Sequence, residues 1–466
     1  MADTVATRKP DHLEPADQVG PRLEGRLAQL LNVRTQRGKL TSRPEQPMRI
    51  DHRESLIYVL GKAAELEHLV VCQYLYAAFS LKRDESEGLT TDQIELTGRW
   101  RHQMMEIAEQ EMLHLALVQN LLTAVGAGPH FNRPSFPLPP RAFPAMVQMS
   151  LLPFDETALR HFAFLERPEG MDMDDAEGFA ALERATPVLS LEELQDEIGP
   201  NLPDFETIGH LYRSIEDGLT QLVERVGEEA LFIGPKDAQA TGKHFRWDEL
   251  GAVTDLASAR KAIDTIVEQG EGARGDWHEA HFGRILAMLD EYLAAREADP
   301  GFAPARAVLP ANVRPPDSGA DVPIITDPFT IRCADLLNAV YEVLLQLLSR
   351  YFAHSGETDR QLGRLADVSV GLMEGVLAPL GYLVARLPVG PDHPGRTTGP
   401  TFELFYAVDY LLPHRDAAWR LMEERLREVA ELAVRCREVC VPLYMTPLSE
   451  ITAELARQAD RLASAR

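Results

Sequence analysis

Cysteine is scarce in this chain. Its four thiols in 466 residues, Cys72, Cys333, Cys436 and Cys440, are too few for a disulfide framework. The expectation is a cytoplasmic protein with reduced thiols. Basic residues are also in short supply: 47 Lys+Arg stand against 72 Asp+Glu, a formal net charge of -25. That balance disfavours nucleic acid and anionic membrane as partners. No apolar run reaches the length that crosses a bilayer. The opening MADTVATRKPDHLEPADQ has no apolar core of the kind a secretory signal needs. No internal repeat is evident.

What is present is an ordinary globular composition, 45% hydrophobic and 26% charged, in a chain long enough for more than one domain. The stretch that organises it is IAEQEMLHLALVQNLLTAV, Ile107 to Val125. Good helix formers and helically spaced apolar residues make it a helix. Glu111 and His114, three apart, then share one face. Glu-x-x-His on an apolar helix face is half of a carboxylate-bridged dimetal site in a four-helix bundle.

Three further helices offer ligands. The first long helix, Arg53 to Leu81 with Asp51 or His52 as its cap, carries Glu67 and Tyr74. These are seven apart, nearly eclipsed after two turns, so the phenol would sit beside a metal ligand. Glu65 and Glu67 point about 200° apart round the helix, so only one can face the centre; Glu67 is favoured and Glu65 is the alternative. The second helix, Thr91 to Val125 with Thr91 as cap, follows after DESEGLTTDQ and forms an antiparallel hairpin with the first. The third, Phe205 to Val226, carries Glu206 and His210. The fourth, Asp276 to Arg296, carries His278 and His281 on one face, with Glu279 as a further carboxylate. The predicted metal set is Glu67, Glu111, His114, His210, His278 and His281, with Tyr74 next to it. Carboxylates in a bundle core are costly when unpaired, and a divalent cation removes that cost while coupling ligation to folding.

The rest of the chain is read around this bundle. Residues 1–50 form a polar arm with a short helix from Pro21 to Val33. The bundle spans 51–298 and contains an irregular insertion, 129–204. There a strand is expected at Ala145 to Leu152, a helix at Asp155 to Leu165, and a solvated acidic loop at MDMDDAEG; the insertion is a natural lid or substrate wall. A Pro-rich linker, 299–328, leads to a helical region, 329–466. That region is expected to pack on the bundle, because ADLLNAVYEVLLQLL is apolar on more than one stripe. His354, His393 and His414 fall in or near loops, in surface or capping roles.

Seven segments between residues 51 and 405, AAELEHLVVCQYLYAAFSLK, EMLHLALVQNLLTAVGAGP, TIGHLYRSIEDGL, IVEQGEG, AHFGRI, ADLLNAVYEVLLQLL and TTGPTFE, resemble the ferritin-like family of iminophenyl-pyruvate dimer synthases, the violacein and chromopyrrolic acid type. The resemblance implies a mainly α, ferritin-like four-helix bundle working in bacterial specialised metabolism, and oxidative coupling of two imines derived from aromatic 2-oxo acids. Two departures stand out. The family pattern places Glu where this chain has His210 and His278, which leaves two carboxylates and four imidazoles. Neutral imidazoles compensate a dimetal pair less well, so one ion instead of two, or copper or manganese instead of iron, stays open. The dimer synthases are also much longer. The functional expectation is an O₂-dependent non-haem metal oxidoreductase, with one or two iron ions, acting on a small amino-acid-derived or aromatic 2-oxo or imino acid; an oligomer is compatible with this. A ferroxidase-like iron-binding protein and a non-catalytic scaffold are the alternatives.

Overall fold

The computed structural model describes residues 35–36, 39–40, 48–139, 142–144, 147–171, 173–179, 205–272, 277–316, 319–354, 356–406, 408, 411 and 413–465. The predicted helix Pro21 to Val33 lies outside the described residues; within the arm, Thr35–Gln36 pairs antiparallel with Lys39–Leu40.

Among the described residues the regular structure is almost entirely helical. Helix α1, Arg53–Ser80, starts at His52, whose capping box closes on Ser55. Helix α2, Thr91–Ala124, starts one residue earlier than expected, because Thr90 and Gln93 cap each other reciprocally. It stops at Gly126, where φ is +90°. α1 and α2 make the most extensive helix pair in the molecule.

Helix α3, Glu156–Leu165, comes from the predicted insertion, and it packs on α6, His281–Ala298. Helix α4, Ile208–Val226, packs on α1 and on α5, Leu256–Gly270. The helices that meet round the polar centre are therefore α1, α2, α3 and α6, and the insertion supplies one of them. Residues 147–152 form no strand. Within MDMDDAEG, Met171 and Met173 are buried and Asp175 is held 2.9 Å from His161 Nδ1, so this loop is anchored and not simply solvated.

The Pro-rich stretch is fastened, not free. Lys82 N donates to Pro304 O (2.8 Å), and Arg306 N donates to Ser80 O (2.9 Å). The Arg306 guanidinium donates to the Phe79 and Leu81 carbonyls and pairs with Glu87 at 2.6 Å. It thereby satisfies carbonyls that the end of α1 leaves without helical partners. Further on, Val308–Leu309 pairs parallel with Thr397–Thr398.

The C-terminal half comprises α7, Pro328–Ala353; α8, Asp359–Leu372, which continues through a π turn into the segment Ala378–Val384; α9, Arg415–Glu438; and α10, Met445–Ala463. His354 ends α7 in a left-handed conformation and His414 precedes α9. Asp359–Val384 is long and apolar enough to cross a membrane by length and composition, contrary to the sequence expectation; 44% of its most apolar window is buried inside the protein. It packs on α7 and α10, and Ala378–Val384 lies against α1, with Gly381 so close to Phe79 that a Cβ there would sit 2.6 Å from the ring. One hydrophobic cluster runs from Ile50 through both halves to Ala465.

Candidate metal centre

Two trios of donors lie side by side in the bundle: Glu67, Glu111 and His114, and Glu111, Glu166 and His281. Within each trio the donor atoms fall within 4.8 Å of one another, and every member is buried. Glu111 belongs to both. Its Oε2 is 2.8 Å from His114 Nδ1, and its Oε1 is 2.8 Å from His281 Nδ1. The outer carboxylates stand further back, Glu67 Oε2 at 3.7 Å from His114 Nδ1 and Glu166 Oε2 at 3.8 Å from His281 Nδ1. The two imidazoles stack with centroids 5.5 Å apart.

Neighbouring side chains orient this set. His114 Nε2 is hydrogen-bonded to Gln269 Oε1 (3.0 Å) and His281 Nε2 to Gln110 Oε1 (3.1 Å). An amide oxygen can only accept, so each Nε2 carries its proton. In the neutral ring Nδ1 then offers a lone pair to the cluster. The Tyr74 hydroxyl donates to Glu166, and the Tyr212 hydroxyl donates to Glu67.

The charges are balanced only tightly. Burial, and then the charge of Glu111, push Glu67 up to about 8 and raise Glu166 well above the usual carboxylate range. Burial raises Glu111 too, but the attraction of His114 and His281 outweighs it, so Glu111 ends well below its ordinary value. For His114, burial is outweighed by Glu111, which raises it well above normal; burial lowers His281. Three carboxyls against two imidazoles thus settle with Glu67 and Glu166 protonated and with Glu111 and His114 as an ion pair. Metal ions fit the same donors. His281 Nδ1 is close to Glu111 Oε1 yet makes no hydrogen bond. An orphaned buried nitrogen is costly as a hydrogen-bonding group, but it suits lone pairs that converge on a common point.

Of the predicted ligands, the structure brings together Glu67, Glu111, His114 and His281. Neither His210 nor His278 contributes a donor atom to either trio. His210 is buried on α4 two residues before Tyr212, a rotation of about 200°, and it is Tyr212 that reaches Glu67. His278 precedes α6 instead of lying in it. It is exposed, and its ring stacks on Trp277 at 4.9 Å. The turn folds back over Gly283, where a Cβ would sit 2.1 Å from the Trp277 carbonyl oxygen. Three-residue spacing aligns side chains only inside a helix, and here the helix begins at His281. The alternatives fall away from the centre as well: Glu65 bonds to Lys62 and His130, Glu279 is exposed, and Glu206 is in neither trio. Glu166 and Tyr212 were not foreseen. Glu166 is the C-cap of a ten-residue helix, and the carboxylate three residues on, Glu169, lies beyond the helix and pairs with Arg213 at 2.6 Å. The stripe Tyr212, Ile215, Leu219, Leu222 on α4 was the available signal for Tyr212.

Residues 60–290 match the ferritin-like family model. The chain has a ferritin-like fold. It is similar to dichlorochromopyrrolate synthase of Lentzea aerocolonigenes, 28% identical over 420 residues covering 83% of this chain and 39% of that protein. It is likewise similar to 2-imino-3-(indol-3-yl)propanoate dimerase of Chromobacterium violaceum, 29% identical over 417 residues, 84% of this chain and 38% of the relative. The chain thus spans less than two fifths of each relative's length. A ferritin-like protein of Caulobacter vibrioides with a solved structure is a more distant likeness, 19% identical, covering 68% of this chain and 96% of its own, with a TM-score of 0.43.

Proposed function

We propose that Glu67, Glu111, His114, Glu166 and His281 would hold two iron ions, and that the chain uses O₂ to couple two molecules of an aromatic 2-imino acid. The observation that carries the reading is Glu111 itself, which turns one oxygen to each histidine while a second carboxylate backs each side. A carboxylate shared between two histidines, in a bundle of this fold, is the arrangement of a bridged dimetal site. Two carboxylates in the predicted set become three once Glu166 is counted, which narrows the charge shortfall expected from the sequence.

Bound iron would supply the electrons that O₂ activation requires. The chain's own residues do the remainder. Gln110 and Gln269 hold the two imidazoles in the tautomer that presents Nδ1. Tyr74 and Tyr212 hold the outer carboxylates and keep a proton on each side of the centre. Burial of all five ligands excludes bulk water. The substrate class rests on the two relatives, one of which is named for dimerising 2-imino-3-(indol-3-yl)propanoate. Joining two such imines forms one C–C bond and removes two hydrogens, with O₂ as acceptor.

The test supplies iron-loaded protein with tryptophan and an L-amino-acid oxidase, so that the imine forms in place. The expected product has twice the mass of the imine less two hydrogens. Iron oxidation with unchanged imine would favour a ferroxidase, and neither metal uptake nor turnover would favour a scaffold.

A further inference from the structure

The motifs AAELEHLVVCQYLYAAFSLK, ADLLNAVYEVLLQLL and TTGPTFE meet at a second buried cluster, on a different face of α1 from Glu67. Its centre is Arg133, from FNRPSFPLPP, which is only 7% exposed. Arg133 Nη2 donates to the Phe402 carbonyl (2.7 Å) and Nη1 to the Pro134 carbonyl (3.0 Å), while Nε has no acceptor. The guanidinium lies over the rings of Phe136 and Tyr341, at 5.6 and 5.7 Å. The Tyr341 hydroxyl is hydrogen-bonded to His68 Nε2 and lies 3.3 Å from Cys72 Sγ. Among the described residues no carboxylate pairs with Arg133. A buried cation without an anion is strongly disfavoured. Two other buried guanidiniums are paired with carboxylates, Arg306 with Glu87 and Arg350 with Glu357, while buried Arg167 donates to the Phe164 and Glu206 carbonyls.

The second observation is backbone strain at the same place. Phe402 has φ of +48°, a conformation that residues with a Cβ seldom adopt. The strained turn aims its carbonyl at Arg133 and packs its ring on Tyr341, with centroids 5.3 Å apart. Its neighbour Thr401 is clamped by Asn338, which donates to it at 2.8 Å and accepts from it at 3.1 Å. Strain held in place in this way marks a site that the fold maintains for use.

We propose that Arg133 receives the carboxylate of the aromatic 2-oxo or 2-imino acid, with Nε and the aromatic walls of Phe136, Tyr341 and Phe402 completing the receptor. Guanidinium is suited to a carboxylate by charge and by its fork of N–H donors. The assignment takes its substrate class from the reading above, but it does not depend on the metal count.

The experiment is calorimetric titration of the metal-loaded full chain with phenylpyruvate and with phenylacetone, which lacks the carboxylate. Wild type is expected to bind phenylpyruvate about tenfold or more tighter. R133Q should lose that preference while keeping phenylacetone binding and metal per chain, and R133K should retain part of it. Equal binding of the two probes by wild type, no binding of either, or an undiminished preference in R133Q would overturn the proposal. So would a Cys72 thiolate absorbance at neutral pH that disappears in R133Q, because the anion would then belong to the chain. If R133Q does not fold, the wild-type comparison still decides. A protein that lacks metal but discriminates between the probes would remove the dimetal reading and leave this one standing.

Discussion

Two buried charge clusters in this molecule follow opposite designs. In the C-terminal half, Arg350 Nε donates to Glu357 Oε1 at 2.6 Å, Trp419 Nε1 donates to the same oxygen at 3.0 Å, and Arg350 Nη1 donates to the Pro413 carbonyl at 3.0 Å. One anion meets one cation there, and both Arg350 Nε and Trp419 Nε1 converge on Glu357 Oε1, while Glu357 Oε2 makes no hydrogen bond. In the bundle, Glu67, Glu111 and Glu166 face only His114 and His281, and two of the carboxyls must hold protons to be tolerated. The first cluster is balanced in charge as protein alone. The second would be balanced by divalent cations in place of the protons. The contrast is therefore one of charge: a buried ion paired within its own chain reads as structural, and an excess of buried carboxyls reads as a place for a cation.

The contrast breaks most sharply at Glu111. Glu111→Ala removes the donor common to both trios, so metal per chain should fall to near zero. Glu166→Ala or Glu67→Ala should cost one ion each, read by elemental analysis after anaerobic loading. Next in size, Glu357→Ala leaves Arg350 buried without its anion. It should lower unfolding free energy in denaturant by about 3–5 kcal/mol with metal content unchanged. Glu67→Gln should do the reverse: one ion is lost, yet the metal-free protein is no less stable, because a carboxyl that is costly to ionise there has become a neutral amide.

A smaller effect follows from pH. The folded Glu67 titrates at about 8 against an ordinary 4.5, so folding of the metal-free protein takes up a proton between those values. This contribution to stability is fully present below pH 4.5 and is lost as the pH rises through about 8; Glu166, also raised, acts in the same direction. Metal binding should release these protons, and that release should vanish in Glu67→Gln for its share. Titration in buffers of different ionisation enthalpy measures it, and uptake with no proton release would contradict the assigned protonation. The smallest expected effect is none: His210→Ala and His278→Ala should leave metal per chain at the wild-type value.

Much of the centre was legible because it lies inside long helices. Periodicity alone put Glu111 with His114, chose Glu67 over Glu65, and set Tyr74 two turns from Glu67. It is blind to residues at a helix boundary. His278 misses the helix by a few residues, and Glu166 ends one too short to attract notice. Length alone points to α4 as the third helix, and a lone pair such as Glu206 and His210 does not reveal that the adjoining stripe carries Tyr212. The Pro-rich stretch was read as a linker because side-chain capping by Arg306 across more than two hundred residues leaves no local signature. Arg133 is the same kind of case: its loop reads as polar and irregular, and its burial depends on α7 and the 397–403 turn.

The account stands most directly on metal per chain in the purified protein loaded anaerobically with ferrous iron. It predicts two equivalents for wild type, one for each trio, and near zero for Glu111→Ala. A wild-type value below about a tenth of an equivalent, as expected if nothing couples these buried ligands to a cation, would contradict it.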